Sequence, residues 1–255
     1  MTILVTIKQV PSLADEIEIN AAGTNLDFDA VDFVLNEWDE QALEQAVLVK
    51  EAHGGAVTVV GVDLTGELDG LLHLALAKGA DTVARIVGDF APGMDSHTHA
   101  RLLADALAPL APDLVLTGVQ APDDLDGQIG PMLAAYLDLP YIGVVNGVQV
   151  ADNVATVRKE FAGGMMAEFT VRLPMVVGVQ AASQPPRYAP VSRIRQMAKT
   201  ATITEIAAEA GASTADLTVR SMAKPVAAGH AEMLAGDVKA VAARIVALIK
   251  ERGLL

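Results

Sequence analysis

Residues 114–131 read Leu-Val-Leu-Thr-Gly-Val-Gln-Ala-Pro-Asp-Asp-Leu-Asp-Gly-Gln-Ile-Gly-Pro: an apolar strand, a glycine, a polar loop and the start of a helix. Gly127 and Gly130 have no Cβ to hold a ligand off the backbone, and the first turn of a helix carries N–H groups without intrahelical partners. With the side-chain amide of Gln128, such a turn suits a phosphate. Neither GxGxxG nor GxxxxGK[ST] occurs, so the spacing points to no particular nucleotide. A plainer reading stands beside it, in which Asp124 or Asp126 caps a helix and the glycines serve the turn. Asp123, Asp124 and Asp126 repel a phosphate unless they face away or take ribose hydroxyls, and Lys8 is the nearest source of positive charge.

Other loops join this one if the chain folds as a parallel sheet, because ligands gather beyond the carboxyl ends of such strands. The first apolar strand ends Thr6-Ile7-Lys8, and another ends Val62-Asp63. A helix opens at Asn36, a natural N-cap, with Trp38 as an amphipathic plate beside it. Lys8, Asn36, Asp63 and Gln128 on one sheet edge are what an adenosine phosphate needs. No nucleophile–base pair is visible. His97 and His99 have the spacing of two metal ligands on a strand, but they fall at a helix start with no third ligand placed.

The elements that position these residues follow from periodicity. Ile3–Ile7, Ala56–Val62, Asp81–Val87 and Asp113–Gly118 are short runs rich in β-branched and apolar residues and read as strands. Helices are expected over Asn36–Ala52, Glu67–Lys78, Ser96–Leu110 and Gln128–Leu137. In the first, Leu35, Ala42, Leu43, Ala46 and Val49 form the apolar stripe, and Glu37, Glu40 and Glu44 are placed on the solvated side. Alternating strands and helices give an α/β fold, a doubly wound and mainly parallel sheet. After Pro140, Tyr141–Val150, Ala155–Phe161, Met166–Leu173 and Met175–Gln180 read as antiparallel additions. A short helix over Ile203–Gly211, an extended tether over Ser221–His230 and an amphipathic helix over Asp237–Arg252 form a C-terminal arm. The division expected is a nucleotide-binding domain over 1–182, a recognition region over 183–200 and the arm over 201–255.

Charge is uneven. The formal net charge is −14, which argues against nucleic acid as the main partner. Yet from Arg158 to Lys199 there are seven basic residues and two acidic ones, and Pro-Pro-Arg-Tyr-Ala-Pro stiffens the middle of that stretch. A preorganised basic segment on an acidic chain suits docking. Cysteine is absent, which excludes disulfides and thiolate metal sites and fits a cytoplasmic location. The N-terminus lacks the layout of a signal peptide, and no run reaches the roughly 18–20 apolar residues of a membrane span.

Several pieces together carry a family resemblance. Val5-Thr6-Ile7-Lys8-Gln9-Val10, Asn36-Glu37-Trp38-Asp39 leading to Ala42-Leu43-Glu44, Ala75-Leu76-Ala77-Lys78-Gly79-Ala80-Asp81, the Gly163-Gly164 turn and Pro186-Arg187-Tyr188-Ala189 appear in order. In them the chain resembles the β, or small, subunit of electron-transfer flavoproteins along nearly its full length. The Asn-Glu-Trp-Asp piece is similar to the branch served by trimethylamine- or dimethylamine-type dehydrogenases. The resemblance implies a Rossmann-like, adenine-nucleotide-binding fold and an electron carrier in place of a free-standing enzyme. It implies a heterodimer with an α subunit that holds the redox FAD, and AMP in this chain. AMP then falls to Thr6, Lys8, Asn36, Asp63, Asp123, Gly127, Gln128, Ile129 and Gly130, and Glu160 lies near the FAD and α subunit. Arg187, Tyr188, Val191, Arg193, Ile194 and Arg195 become the docking segment, with Val191 as apolar anchor. The implied partners are acyl-CoA or methylated-amine dehydrogenases and a flavoprotein–quinone oxidoreductase. Ile129 stands where the family often has a threonine hydroxyl. A D-G-D-T-A-Q pattern, typical of bifurcating relatives with a second FAD, is missing, so AMP is the expected occupant. The alternatives are such a bifurcating subunit and an adenine-nucleotide-binding module of the universal-stress type.

Overall fold

Both faces of the central strands are apolar, which only a sheet covered by helices on each side can bury. A computed structural model of the chain describes residues 1–13, 17–90, 92–124, 126–209, 219–225, 229 and 231–255. In chain order its elements are β1 (Thr2–Ile7), β2 (Gln9–Pro11), β3 (Phe33–Leu35), α1 (Glu37–His53), β4 (Ala56–Val62), α2 (Asp69–Lys78), β5 (Thr82–Val87), α3 (Ser96–Leu107) and β6 (Leu114–Gly118). There follow α4 (Ile129–Tyr136), β7 (Tyr141–Ala151), β8 (Val154–Phe161), β9 (Met165–Arg172), β10 (Met175–Val179), α5 (Val191–Thr200), β11 (Thr204–Ala207) and α6 (Val238–Glu251).

One sheet has the order β11-β5-β4-β1-β6-β10-β7-β8-β9, and β2 pairs with β3 in a small second sheet. Pairing is parallel from β11 through to β7 and antiparallel only in β7-β8-β9. Alternate residues of β1 face different layers. Ile3, Val5 and Ile7 pack with Ala42, Leu43 and Ala46 of α1 and Leu72 of α2, whereas Leu4 packs with Leu103 and Leu107 of α3 and Leu133 of α4. The doubly wound, mainly parallel sheet expected from the sequence is therefore present.

Two expectations are corrected. Met175–Val179 is not an antiparallel addition: β10 lies between β6 and β7, parallel to both and buried at every residue. Five consecutive apolar residues without alternation are the mark of such a central strand. Thr204–Ala207, placed in a helix by periodicity, is strand β11 beside β5. Its Thr-Glu-Ile-Ala run follows Ile203 and offers β-branched residues to an open parallel edge. Residues 210 and 211 of that expected helix lie outside the described residues. The recognition region holds a helix, α5, which starts directly after Pro190 and turns half-buried Ile194 and Met197 inward.

The chain divides into one unit over Met1–Met222 and a second over Ala223–Leu255. The second contains α6, whose N-cap Asp237 accepts from the Ala240 N–H at 2.8 Å. No described helix is long and apolar enough to cross a membrane.

Candidate functional site

The crossovers from β1 and from β6 leave in opposite directions, β1 through α1 to β4 and β6 through α4 to β7. Neighbouring strands whose connections diverge leave a cleft beyond their carboxyl ends. A narrow pocket, open at its mouth, sits there. Thr6, Ile7 and Lys8 line it from β1, Thr117 to Ala121 from β6, Asn36 and Asp39 from the start of α1, His99 and Leu103 from α3, and Asp124, Gly127 and Ile129 from the loop into α4.

Asp39 ties the two strand ends together. Its carboxylate accepts the Lys8 N–H at 2.8 Å and the Gly118 N–H at 2.9 Å. Glycine is required at 118, because a Cβ there would lie 2.4 Å from Asp39 Oδ1. Burial pushes the Asp39 carboxyl up to about 7, outweighing the Asn36, Gly118 and Lys8 hydrogen bonds and the Lys8 charge, which pull it down. Asn36 takes the N-cap position but does not cap with its side chain. Its Nδ2 donates to the Gln120 carbonyl at 2.9 Å. The Lys8 ammonium, expected to face a phosphate, already pairs with Asp123 at 2.8 Å.

Three buried polar atoms around this pocket have no hydrogen-bond partner: Asn36 Oδ1, His99 Nδ1 and Asp124 Oδ2. An unpaired buried polar group costs on the order of 1–3 kcal/mol, so three on one wall point to a ligand that satisfies them. His99 is 2% exposed. Burial, then the Lys8 charge, push its imidazole down to about 3 against the opposing effect of Asp95, so it is neutral at physiological pH.

Of the residues proposed for a nucleotide from sequence, Thr6, Lys8, Asn36, Gly127 and Ile129 come together on the pocket wall. Asp123 reaches it only through Lys8. Asp63 does not line it: it closes its own turn by accepting the Gly66 N–H at 2.8 Å and faces Arg85 at 3.6 Å. Gln128 is exposed. Gly130 makes room for Thr117 Oγ1 and Tyr141, both within about 3 Å of where its Cβ would stand. His97 and His99 form no metal pair. His97 is exposed and lies 3.3 Å from the Tyr136 hydroxyl while His99 is buried, and no group of three or more histidine, aspartate or glutamate ligands occurs among the described residues.

A second concavity adjoins the first and shares Val119, Gln120 and Gly127 with it. Tyr141, Val144, Lys159, Phe161 and Phe169 form its other side. Lys159 Nζ donates to the Gly143 carbonyl at 2.9 Å and sits 5.6 Å from the Phe161 ring centre. Glu160 is exposed next to it and accepts from Asn146 Nδ2 at 2.6 Å. Phe161, Met165, Met166 and Phe169 are all exposed along β8 and β9.

The segment expected to dock is pinned to α1. Gln41 accepts the Ala182 N–H and Gln45 the Ser183 N–H, while Gln45 Nε2 donates to the Val148 carbonyl. Glu44, assigned from sequence to a solvated face, is 4% exposed. It accepts the Arg187 N–H at 2.9 Å and the Arg187 guanidinium from Nε and Nη2, and Glu51 takes the other side of the guanidinium. Lys78 donates to the Arg187 carbonyl and pairs with Glu40 at 2.8 Å. Arg187 is thus held by its own chain and does not project outward. Tyr188 is 82% and Val191 56% exposed; Arg193 and Arg195 are also exposed, whereas Ile194 is half-buried.

Asp39, His99 and Glu44 escaped sequence reasoning. The three-residue step from Asn36 to Asp39 was visible, but nothing local shows that the carboxylate turns toward two strands. Glu44 carried a better clue, since Gln41, Glu44, Gln45 and Glu51 follow one side of α1 at helical spacing.

The sequence profile of the Electron transfer flavoprotein domain matches residues 25–211. The chain is 36% identical to the electron transfer flavoprotein subunit beta of Methylophilus methylotrophus, over 98% of each chain. It is 29% identical to the subunit of the same name from Clostridium acetobutylicum, again over 98% of each. To the Caffeyl-CoA reductase-Etf complex subunit CarD of Acetobacterium woodii it is 28% identical over the whole of both chains. The chain belongs to the electron transfer flavoprotein family, and the relatives that it matches from end to end include that family's β subunits.

Proposed function

We propose that this chain is the small subunit of a heterodimeric electron transfer flavoprotein, a carrier component and not a self-contained catalyst. It holds AMP between β1 and β6, braces an FAD bound mainly by a larger α subunit, and offers the segment from Tyr188 to Arg195 to dehydrogenases of acyl-CoA or methylated-amine type. Electrons leave toward a flavoprotein–quinone oxidoreductase.

The observation that carries the nucleotide is the set of three unpartnered buried atoms at the strand switch, Asn36 Oδ1, His99 Nδ1 and Asp124 Oδ2. Two of them are obligatory acceptors, as ribose hydroxyls and an exocyclic amine require. The backbone at Gly127–Gly130 leads into the start of α4, where N–H groups suit a phosphate. The flavin supplies the electron-accepting chemistry when bound. Toward it this chain contributes the apolar edge of Phe161, Met165, Met166 and Phe169, which keeps water away, and the Glu160 carboxylate that Asn146 holds in place. For docking, a small apolar anchor at Val191 ringed by Arg193 and Arg195 suits an encounter that must form and dissociate quickly. The α6 helix has no buried residue, so its Val241, Ile245 and Leu248 line is available to the α subunit.

A second reading, a bifurcating-type subunit with a second FAD, draws on the concavity that adjoins the pocket. Mass analysis of what the denatured complex releases separates the two. One AMP and one FAD per heterodimer are expected, two FAD and no AMP support the second reading, and the absence of any nucleotide beyond one FAD overturns both.

A further inference from the structure

We infer that His99 reads the nucleoside end of the ligand, acting with Asn36 and Asp124 as a third hydrogen-bonding group in the depth of the pocket. The inference rests on the nucleotide reading above and adds to it a binding residue from α3.

One and two turns further along α3 the core positions are apolar: Leu103 and Leu107 are buried. An aliphatic side chain at 99 would pack there without a polar atom to satisfy. The imidazole instead lines the pocket and leaves Nδ1 without a partner. Asn36 has already given its amide hydrogens a partner in the Gln120 carbonyl, so its free atom is an oxygen, and the free atom of Asp124 is an oxygen too. The Asp124 carboxylate faces the same space, Asp39 lines it with both oxygens engaged by the Lys8 and Gly118 N–H groups, and the Lys8 ammonium is neutralised by Asp123. Negative charge is therefore unwelcome in the depth of the pocket. The part of a ligand that enters must present N–H or O–H groups, and a phosphate remains toward the α4 end. The free Nδ1 of a neutral imidazole donates in one tautomer and accepts in the other, so it can meet either the amine or a ring nitrogen of an adenine edge. A base with a keto group in place of the amine confronts the acceptors with another acceptor.

The test uses the full chain in its complex, stripped of bound nucleotide, with AMP, IMP, 2′-deoxy-AMP and inorganic phosphate measured by calorimetry on wild type, His99→Leu and His99→Gln. Wild type is expected to bind AMP at least tenfold more tightly than IMP and to show no binding of phosphate alone. His99→Leu should lose about tenfold in AMP affinity, which corresponds to roughly 1.4 kcal/mol, and keep the AMP-over-IMP preference that the Asn36 and Asp124 oxygens set. His99→Gln, which keeps a polar group at this position, should recover part of the affinity. Melting without ligand provides an independent readout: a ligand-reading His99 leaves the nucleotide-free melting temperature of His99→Leu unchanged or higher, while the rise produced by AMP shrinks. Equal AMP affinity in wild type and His99→Leu overturns the inference and leaves the AMP site standing. Failure of wild type to bind AMP removes the nucleotide reading itself, and the role of His99 with it. Should His99→Leu not fold, His99→Ala decides: AMP affinity equal to that of wild type overturns the inference, and a loss of about tenfold supports it.

Discussion

Helix α1 carries two polar clusters that differ in one respect. At its N-terminus, Asn36 and Asp39 face the switch-point pocket, where atoms are left unpartnered and a carboxyl is pushed up to about 7. Along its flank, Gln41, Glu44, Gln45 and Glu51 meet the segment from Ala182 to Arg187, and the bonds close within the chain. Both clusters join α1 to loops distant in sequence. One is incomplete in its hydrogen bonding, and the other is complete. Unsatisfied buried polarity marks a place to bind, and satisfied buried polarity marks a place to hold a shape. The second cluster fixes the backbone that precedes Tyr188 and Val191, so those exposed groups are presented from a rigid base.

The largest effect is expected from breaking the complete cluster. Glu44→Ala removes the acceptor of three Arg187 donors, one of them a backbone N–H, and leaves the guanidinium with Glu51 alone. Removing one partner of a buried pair costs about 3–5 kcal/mol. Chemical denaturation of the complex should show a loss near the lower end of that range, because the Arg187 side chain is 31% exposed. A loss below about 1 kcal/mol would mean that the segment is held by other contacts.

The incomplete cluster responds to pH in a way the other does not. Asp39, raised to about 7 from 3.8, holds a proton in the folded state that the unfolded chain has released, so its contribution is present at low pH and is lost as pH rises through about 7. His99, lowered to about 3 from 6.5, does the reverse: the unfolded chain gains a proton that the folded state refuses, so stability falls as pH drops from 6.5. Between about pH 4 and 6.5 the two slopes oppose each other. Relative to wild type, Asp39→Asn should therefore make stability rise more with pH across that window, and His99→Leu should make it rise less, each slope changing by roughly 1 kcal/mol per pH unit. Denaturant midpoints of wild type and both variants at three pH values check this, and slope changes of the same sign in both variants would refute it.

Much of the fold could be read from the sequence because its central strands are continuous β-branched runs and its helices end on clear punctuation such as Gly79, whose φ of 119° closes α2. The errors fall where local pattern and tertiary position disagree. The four residues of β11 are too short to show a period, and β5 provides the template that makes them a strand. For the pocket, Lys8, Asn36 and Gly127 were legible because strand ends and helix starts converge at a switch point by topology alone. Asp39 and His99 were not, since a polar residue on a helix gives no hint of which later strand or loop will cover it. Glu44 was hidden for the same reason: its partner Arg187 lies 143 residues away, and a glutamate on a charged helix reads as solvated until that segment is laid against it.

The smallest effect is expected at Glu51, and it is the sharpest comparison because the partner is the same guanidinium. Glu51 meets Arg187 Nη1 at 2.7 Å and Nη2 at 3.1 Å, distances as good as those of Glu44. Its side chain is 52% exposed, against 4% for Glu44. The Arg187 hydrogen bond is the main cause holding the Glu51 carboxyl below its usual range, so the pair contributes above that range and is lost as pH falls through it. In water, however, charge separation is cheap and salt screens the attraction. Glu51→Gln keeps an oxygen for one of the two bonds, and its cost in stability should stay within about 0.5 kcal/mol, shrinking further in high salt. If Glu51→Gln proved as damaging as Glu44→Ala, burial would not be what separates the two carboxylates, and the segment before Tyr188 would be held by net charge in place of a buried set of hydrogen bonds.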